Sequence, residues 1–343
     1  MGRYFWAFLI PSGAALGLYW GGLWAWWTVV AIYVLVPAID QWLAPDRANP
    51  APEALIEHRT SWVANLPLYL AVPVQFGLIF ALLVAMETDA PVWVKVGWVA
   101  SVGLSAGGLG IVVAHELVHR RQHFEYWLGK LLLMSVLYMH FAIEHVRGHH
   151  ARVATDEDPA SARLGQTVYG FVVSSIARQW PSAWQLEVER LRKKSLPIIS
   201  HHNEMLGMVV LQGAWLLLVG VFWGLAGLLT AVSIALIAVT LLEVVNYVEH
   251  YGLRRNKDAS GRVEPVRAHH SWNSDHQLSR ILLFELPRHT DHHMNGSRPY
   301  QTLHSVPGAP QLPGGYPAMV LLALLPPLWF RVMNPRVAAQ ATR

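Results

Sequence analysis

Histidine is the residue type whose number and spacing most clearly indicate chemistry in this chain. Among 343 residues there are 18 histidines and no cysteine. Any metal site must therefore use ligands other than cysteine sulfur. Disulfides, thiolate zinc sites, iron–sulfur clusters and cysteine nucleophiles are excluded. Half of the histidines lie in four short motifs, HELVH, EHVRGHH, NYVEHYG and HTDHH. The histidines of these motifs are His115, His119, His145, His149, His150, His250, His289, His292 and His293.

The spacing within the motifs favours metal binding. Residues i and i+4 lie on one face of a helix, so both imidazoles can reach one ion. This spacing joins His115 to His119, and His145 to His149. A catalytic zinc ion uses three protein ligands and a structural one uses four, so nine clustered histidines predict two metal ions that retain open positions. Imidazole binds iron, copper, nickel and zinc, and the absence of cysteine sulfur favours iron.

Two other classes of protein are compatible with part of this pattern. The HELVH motif alone is typical of a zinc metalloprotease in which Glu116 is the base, but an intramembrane protease leaves the other three motifs unexplained. A metal transporter holds its ligands near the middle of the membrane, whereas these motifs lie at the ends of apolar runs and in polar segments. A nucleic-acid partner is not indicated, because no basic stripe with interleaved aromatic residues is present.

Acidic residues near the motifs are candidates for orienting the histidines. A metal-bound histidine usually donates its other ring N–H to a carboxylate or carbonyl group. The candidates within or beside the motifs are Glu116, Glu144, Glu249, Asp275 and Asp291. Glu249 is also a candidate direct ligand. Asp156 and Asp158 either support the site in the same way or form salt bridges with arginine.

The other histidines are expected to lie away from the metals. His269, His270 and His276, close to the fourth motif, are candidates for a supporting role or for docking an electron donor. Surface positions are expected for His58, His123, His201, His202 and His304.

The composition indicates the elements that must hold these residues. The chain is 53% hydrophobic and 14% charged, whereas soluble domains are about 25% charged. A helix of about 20 apolar residues crosses a bilayer. Such runs cover residues 4–20, 23–43, 62–86, 92–114, 205–228 and 230–248. We therefore predict an all-α integral membrane protein with six transmembrane helices and a histidine-rich site for two metal ions.

The chain is predicted to be a single membrane domain, 1–343, in four parts. Residues 4–119 contain spans one to four and end in the first motif, and 120–204 form a cytoplasmic segment with the second motif. Residues 205–250 contain spans five and six, and 251–343 form a cytoplasmic C-terminal segment with the last motif. Lysine and arginine are concentrated in 120–204 and after residue 250, so the positive-inside rule places both termini and the metal site in the cytoplasm. The apolar stretch 126–143 then cannot cross the membrane, and we expect it to lie in the interface or to dip in and return.

Two groups of residues have competing explanations. Four glycines of the fourth span either line a substrate channel or, as is more common, permit close helix packing. They are Gly103, Gly107, Gly108 and Gly110. Six arginines either form a docking face for an acidic electron carrier or only reflect the topology. They are Arg120, Arg121, Arg147, Arg152, Arg254 and Arg255.

The motifs resemble those of a known family. HELVHR, EHVRGHH, NYVEHYG and LPRHTDHH, together with HSWNSDH at 270–276, resemble the motifs of the membrane alkane 1-monooxygenases. More loosely, three of them resemble motifs of the membrane fatty acid desaturase and hydroxylase superfamily. Arg120, Pro287 and Thr290 stand where lysine, glutamine and serine are common, and none of these departures removes a ligand.

The resemblance implies a non-haem di-iron centre whose ligands are the nine histidines, with molecular oxygen as the oxidant. It also implies rubredoxin as the electron donor, reduced in turn by an NAD(P)H-dependent rubredoxin reductase, and a location in the bacterial inner membrane. The expected activity is the terminal hydroxylation of medium- to long-chain n-alkanes to primary alcohols, with the alkane held by shape in an apolar channel. A fatty-acyl desaturase or hydroxylase, or an aromatic-methyl monooxygenase, uses similar motifs and is the alternative.

Overall fold

The computed structural model of the protein describes residues 2–51 and 61–341. His58 lies outside the described residues. Regular secondary structure in the described part is helical. The longer helices are α1 (Leu9–Trp20), α2 (Gly22–Trp42), α3 (Trp62–Ala85), α4 (Val92–Val118), α5 (His123–Ser135), α6 (Val168–Lys193), α7 (Glu204–His250), α8 (Gln277–Leu282), α9 (His289–Met294), α10 (Tyr316–Ala323) and α11 (Pro326–Ala341). The shorter helical segments are Gly2–Phe8, Phe141–Ile143, Glu144–His149, His150–Arg152, Ala268–His270 and Tyr300–Thr302.

Four helices, α2, α3, α4 and α7, are long and apolar enough to cross a bilayer. The pair α10 and α11, bent by 119° at a short break, would together make a fifth crossing. Large apolar side chains cover the outside of these helices: on α7, Leu217 is 69% exposed and Val221 is 70% exposed. Such surfaces are stable in lipid and unfavourable in water. The prediction of an all-helical membrane protein is confirmed.

The 47-residue helix α7 is two helices joined at Gly224, whose backbone angles (φ 57°, ψ −153°) are not helical. A straight helix of this length would extend about 70 Å. The two ends of α7 nevertheless reach the same short segment. Glu204 pairs with Arg147 at 2.6 Å, and the His250 ring centroid lies 4.8 Å from that of His149. The chain therefore turns back at Gly224, so that both ends of α7 lie beside the histidine motifs.

Gly21 makes a similar turn between α1 and α2 (φ 62°, ψ −155°). The two helices pack closely next to it, since a Cβ atom on Gly17 would lie 2.7 Å from the backbone oxygen of Trp24. The indole N–H of Trp98 in α4 donates to the Gly17 carbonyl at 2.7 Å. This helix pair is thereby held against α4, the helix that carries the first motif.

The stretch 126–143 enters the helix bundle and returns, and its position relative to the membrane stays a prediction. α5 packs beside the end of α4, where a Cβ atom on Gly129 would lie 3.1 Å from the Ala114 oxygen. The last residue of α5, Ser135, lies 3.3 Å from Gln75 in the middle of α3. The chain then turns at Leu137 (φ 56°) and returns to the π-helical segment Glu144–His149. We call residues 136–140 the re-entrant turn.

Buried polar side chains of α7 support the re-entrant turn. The Gln212 side-chain oxygen accepts a hydrogen bond from the backbone N–H of Met139 at 3.0 Å. A carboxylate oxygen of Glu243 accepts one from the Tyr138 hydroxyl at 3.1 Å. Lipid offers no hydrogen bonds, so irregular backbone at membrane depth needs partners within the protein. α7 supplies them from both sides of its own turn at Gly224.

Candidate metal centre

The nine predicted histidines converge in two adjacent groups. In each group, candidate ligand nitrogens lie within 4.8 Å of one another. The five-histidine cluster contains His115, His119, His145, His150 and His292. The four-histidine cluster contains His149, His250, His289 and His293. The structure thus brings together all nine residues, whose role as iron ligands stays a prediction.

Four helical segments position these side chains. His115 lies in the last turn of α4 and His119 directly follows that helix. His250 is the last residue of α7, so the turn at Gly224 determines where it lies. His289 begins the short helix α9, which also carries the other two histidines of its motif. Motifs separated by more than 170 residues therefore meet at the ends of helices.

The second motif is π-helical, and this decides which of its histidines share a cluster. The i, i+4 spacing suggests His145 with His149, but Glu144–His149 is a π-helix, in which hydrogen bonds join i to i+5. His145 Nε2 accordingly lies 3.1 Å from His150 Nε2. His149 points to the other cluster, with its Nε2 3.2 Å from His293 Nε2.

The distances between the ring nitrogens match those expected around a bound metal ion. With metal–imidazole bonds of about 2.1 Å, neighbouring nitrogens around an octahedral ion lie about 3 Å apart. His150 Nε2 lies 3.0 Å from His292 Nε2, and His289 Nε2 lies 2.9 Å from His293 Nε2. The buried Nε2 atoms of His115 and His119 have no hydrogen-bond partner among the described residues. An all-imidazole donor set suits iron, copper, nickel or zinc, so the site fits the predicted iron.

Burial lowers the pKa values of several of these histidines, and this favours the binding of a metal cation. Burial lowers the pKa of His119 to about 3. It holds the pKa values of His145, His150 and His292 well below the usual range, and the neighbouring imidazoles lower them further. A ligating imidazole must be neutral. These rings therefore keep a free lone pair at physiological pH.

Two carboxylates contact the clusters. Asp158 Oδ2 lies 2.9 Å from His149 Nδ1, and Glu249 Oε1 lies 3.2 Å from His289 Nδ1. Burial alone would raise the pKa of Asp158, but the facing His149 and the Ser161 hydroxyl lower it to about 2. Asp158 is therefore an anion that fixes the orientation of His149, as carboxylates do beside metal-bound imidazoles.

The other predicted carboxylates have different partners. Glu116 pairs with Arg120 at 2.7 Å, and Glu144 with Arg152 at 2.8 Å. Among the described residues, no hydrogen bond or ion pair joins Glu116, Glu144, Asp275 or Asp291 to a clustered histidine. Asp156 is exposed and lies 3.6 Å from Arg163.

The arginines proposed for docking mostly have partners within the protein. Arg120, Arg147, Arg152 and Arg254 pair with carboxylates, and Arg255 donates to the Glu264 carbonyl. Arg121 is exposed. Most of these arginines therefore form contacts within the protein.

A third group of possible ligands, Glu264, His269 and His270, is less suited to a metal. His270 Nδ1 accepts a hydrogen bond from the Arg267 backbone N–H at 3.0 Å. A neutral imidazole then carries its proton on Nε2, which lies 3.4 Å from Glu264. A protonated ring nitrogen has no lone pair to offer a metal ion. His276 Nδ1 lies 2.9 Å from the Ser274 hydroxyl.

Two supporting residues were not found from the sequence. The Tyr316 hydroxyl donates to Glu249 at 2.9 Å. The side-chain oxygen of Asn273 accepts from the Thr290 backbone N–H at 2.9 Å, which holds the start of α9. Asn273 lies in the HSWNSDH segment, whose resemblance to the family was the available signal. Nothing in the sequence around Tyr316 indicated its contact.

A narrow cavity of about 70 Å³ reaches both clusters. His115 and His145 of the five-histidine cluster and His289 of the four-histidine cluster lie in its wall. Away from the clusters, it runs between α1, α2, α4, α7 and α10, where the wall is mostly aliphatic. Residues of this part include Ile10, Ile32, Val36, Ile111, Leu241 and Val320. The cavity thus offers an apolar molecule a mostly aliphatic wall next to the histidines.

The glycines of α4 serve mainly in packing. A Cβ atom on Gly103 would lie 2.8 Å from Ile237, one on Gly107 3.2 Å from Ala238, and one on Gly110 3.1 Å from Gln75. Gly107 and Gly108 also line the cavity, and Gly108 has only Ile10 nearby, at 3.7 Å. Both explanations offered from the sequence therefore apply, and Gly107 serves in both ways.

The fold and the site together define a membrane-embedded metalloprotein with two histidine clusters at the end of an apolar cavity. A model of the fatty acid desaturase family matches residues 90–322. Alkane 1-monooxygenase 1 of Pseudomonas aeruginosa is 44% identical over 92% of this chain and 84% of its own length. Alkane 1-monooxygenase 2 of the same organism is 40% identical over 98% of this chain and 92% of its own length.

A more distant relative is the hydroxylase component of the xylene/toluene monooxygenase of Pseudomonas putida. It is 31% identical over 96% of this chain and 87% of its own length. The chain belongs to the fatty acid desaturase family and, within it, to the group that contains the alkane 1-monooxygenases.

Proposed function

We propose that the protein hydroxylates the terminal carbon of medium- to long-chain n-alkanes to give primary alcohols, using O2 and electrons from rubredoxin. The observation that carries this proposal is the apolar cavity that ends at His115, His145 and His289. An alkane has no polar group, so only the shape of such a cavity can select one of its carbons. The similarity to alkane 1-monooxygenases over nearly the whole chain supports the same substrate class.

The nine histidines would hold two iron ions, one in each cluster. When bound, the iron supplies the reduction of O2 and the transfer of one oxygen atom to carbon. The aliphatic walls between α2, α4 and α7 align the chain and exclude water. Asp158 orients the ring of His149, and Glu249 lies beside the ring of His289.

We infer six membrane crossings with both termini and the clusters on the cytoplasmic side of the bacterial inner membrane. The turns at Gly21 and Gly224 support this number, because they divide α1–α2 and α7 into antiparallel pairs. The basic residues of 120–204 support the orientation.

Rubredoxin, itself reduced by its reductase, would dock over Gly296. Of the nine histidines, only His119 and His150 are partly exposed. The backbone of Gly296 lies directly on them, since a Cβ atom there would be 3.1 Å from His150 and 3.6 Å from His119. An open cavity lined by Gly296, Ser297 and Arg298 adjoins this point. An electron that enters at Gly296 has only a short distance to travel to the five-histidine cluster.

The test of the activity is product analysis with the purified, iron-loaded protein, rubredoxin, its reductase, NADH, 18O2 and a medium-chain n-alkane. Labelled 1-alkanol that is lost in His115→Ala is the expected result. A desaturated or benzylic product from an acyl or aromatic substrate, with no alkanol, would assign the alternative activity. A zinc-loaded protein that makes no oxygenated product would overturn the proposal.

The docking site and topology are tested with one introduced thiol, since the chain has no cysteine. Ser297→Cys should react with an impermeant maleimide only from the cytoplasmic side. Through a maleimide–amine linker it should couple to rubredoxin, whereas Glu189→Cys, exposed on α6, should not. Equal coupling at both positions would contradict the docking site.

A further inference from the structure

Glu243 is a fully buried carboxylate on the membrane helix α7, and the site described above does not use it. Four neutral groups donate hydrogen bonds to it. Ser175 and Gln179 of α6 do so at 2.6 and 2.8 Å, the Tyr138 hydroxyl at 3.1 Å, and Asn246 at 3.3 Å. Among the described residues it forms no salt bridge. An ionisable residue at such a depth is expensive and usually serves a function.

These surroundings suit a group that gains and loses a proton. A salt bridge would fix the carboxylate as an anion, and none is formed. The hydroxyls of Ser175 and Tyr138 both donate and accept hydrogen bonds. They can rotate to accept from a protonated Glu243 as readily as they donate to the ionised form. The network therefore tolerates both protonation states without moving the backbone.

Asn246 connects this network to the cavity. It lies three residues after Glu243, about 4.5 Å further along the same face of α7. Its side chain donates to Glu243 on one side and lines the cavity on the other. Most of the cavity wall is aliphatic, and seven of the nine histidines are buried. Asn246 thus joins the Glu243 network to the cavity, on the part of the wall formed by α7.

His140 lies beside this network. Its ring centroid lies 4.3 Å from that of Tyr138, and it is buried, with no hydrogen-bond partner for either ring nitrogen among the described residues. On its far side lies Trp180, at 5.0 Å and 39% exposed. His140 is therefore a neighbour of the network and not a hydrogen-bonded member of it.

We propose that Tyr138, Glu243 and Asn246 form the last part of the proton-supply route to the cavity. This inference rests on the proposed function, whose overall reaction is R–H + O2 + 2 e⁻ + 2 H⁺ → R–OH + H2O. Rubredoxin supplies the electrons, one oxygen atom enters the alcohol, and the other leaves as water with the two protons. Those protons must cross an apolar shell, and Glu243 provides the ionisable group on the way. Glu243 does not touch the substrate; its role is to pass protons on.

Glu243→Gln removes the ionisable group at nearly constant shape, and Asn246→Leu cuts the connection to the cavity while leaving the other three donors of Glu243 in place. The experiment uses iron-loaded full-length protein with rubredoxin, its reductase, NADH and alkane. It measures alcohol, hydrogen peroxide and oxygen consumption, together with iron content and thermal unfolding. Both variants should bind as much iron as the wild type. Alcohol formed per O2 consumed should fall, peroxide should rise, and turnover should drop about a hundredfold.

Gln212→Leu is the matched control. Gln212 is also buried on α7 and also supports the re-entrant turn, through Met139, but it has no link to the cavity. It should keep the wild-type ratio of alcohol to O2. Equal loss of coupling in Gln212→Leu, or wild-type coupling in both test variants, would overturn the relay. If Glu243→Gln binds no iron, Asn246→Leu alone decides. Failure of the wild type to form alcohol would count against the proposed function and not against the relay.

Discussion

His149 and His150 are consecutive residues whose imidazoles belong to different clusters. His149 Nε2 lies 3.2 Å from His293, and His150 Nε2 lies 3.0 Å from His292. His292 and His293 are consecutive as well, and they too belong to different clusters. Two pairs of adjacent histidines therefore join the clusters, so that the backbone fixes the position of one cluster relative to the other.

Removing one histidine from each cluster should affect metal binding unequally. His293→Ala leaves three ligands in its cluster, whereas His292→Ala leaves four. We expect His293→Ala to lose one of the two iron ions, and His292→Ala to keep both at saturating iron but to release one more readily to a chelator. Elemental analysis before and after chelation measures this. His201→Ala, at an exposed position, is the control, and equal iron loss in all three variants would contradict the assignment.

Asp158→Asn should weaken the four-histidine cluster. Removing a carboxylate that orients a ligating histidine typically lowers metal affinity or activity by about 10–100-fold. Asp156→Asn changes the same residue type two positions away, where the side chain is exposed, and should have no effect. Iron affinity by competition with a chelator, together with turnover, distinguishes the two. An Asp158→Asn protein with normal iron affinity and turnover would show that the His149 contact is unimportant.

Gly108→Val should shorten the cavity. The new side chain would enter space next to Ile10, and one or two added methyl groups in an apolar pocket change selectivity by about tenfold or more. Longer n-alkanes should lose turnover more than shorter ones, as measured by product analysis across a chain-length series. Gly77→Val, on the exposed face of α3, should keep the wild-type profile. A uniform loss at all chain lengths in Gly108→Val would argue for misfolding.

Gly224→Ala should destabilise the protein. The backbone angles at Gly224 lie in a region that is almost restricted to glycine, and a side chain there costs about 1–3 kcal/mol. Thermal unfolding in detergent should occur at a lower temperature. Gly207→Ala, in the same helix with no atom within 4 Å of its new Cβ, should be neutral or slightly stabilising. Equal stability of the two variants would mean that the turn does not depend on Gly224.

The histidine motifs and the apolar runs could be predicted from sequence because both are local patterns. All nine histidines meet, and the dip of 126–143 followed from the need to keep the motifs on one side of the membrane. The position of the turn within α7 was less accurate. The sequence suggested a break between residues 228 and 230, but the chain turns at Gly224. The residues on both sides of Gly224 are apolar, so the hydropathy of the sequence does not change at the turn.

The partners of individual side chains could not be predicted in the same way. The pairing of His145 with His150 depends on a π-helix, which residue spacing does not reveal. Asp156 and Asp158 were indistinguishable in sequence, and burial separates them: Asp158 is enclosed beside His149, whereas Asp156 remains exposed. Tyr316 reaches Glu249 through the tertiary fold alone.

The distribution of the clusters along the chain has a consequence for biosynthesis. Four members of the five-histidine cluster are translated by residue 150, but the four-histidine cluster has only His149 until residue 250 and is incomplete until residue 293. The segment that carries His149 also depends on Gln212 and Glu243, which leave the ribosome later. The five-histidine cluster is likewise completed only by His292. We therefore expect metal loading to follow the synthesis of all the membrane helices.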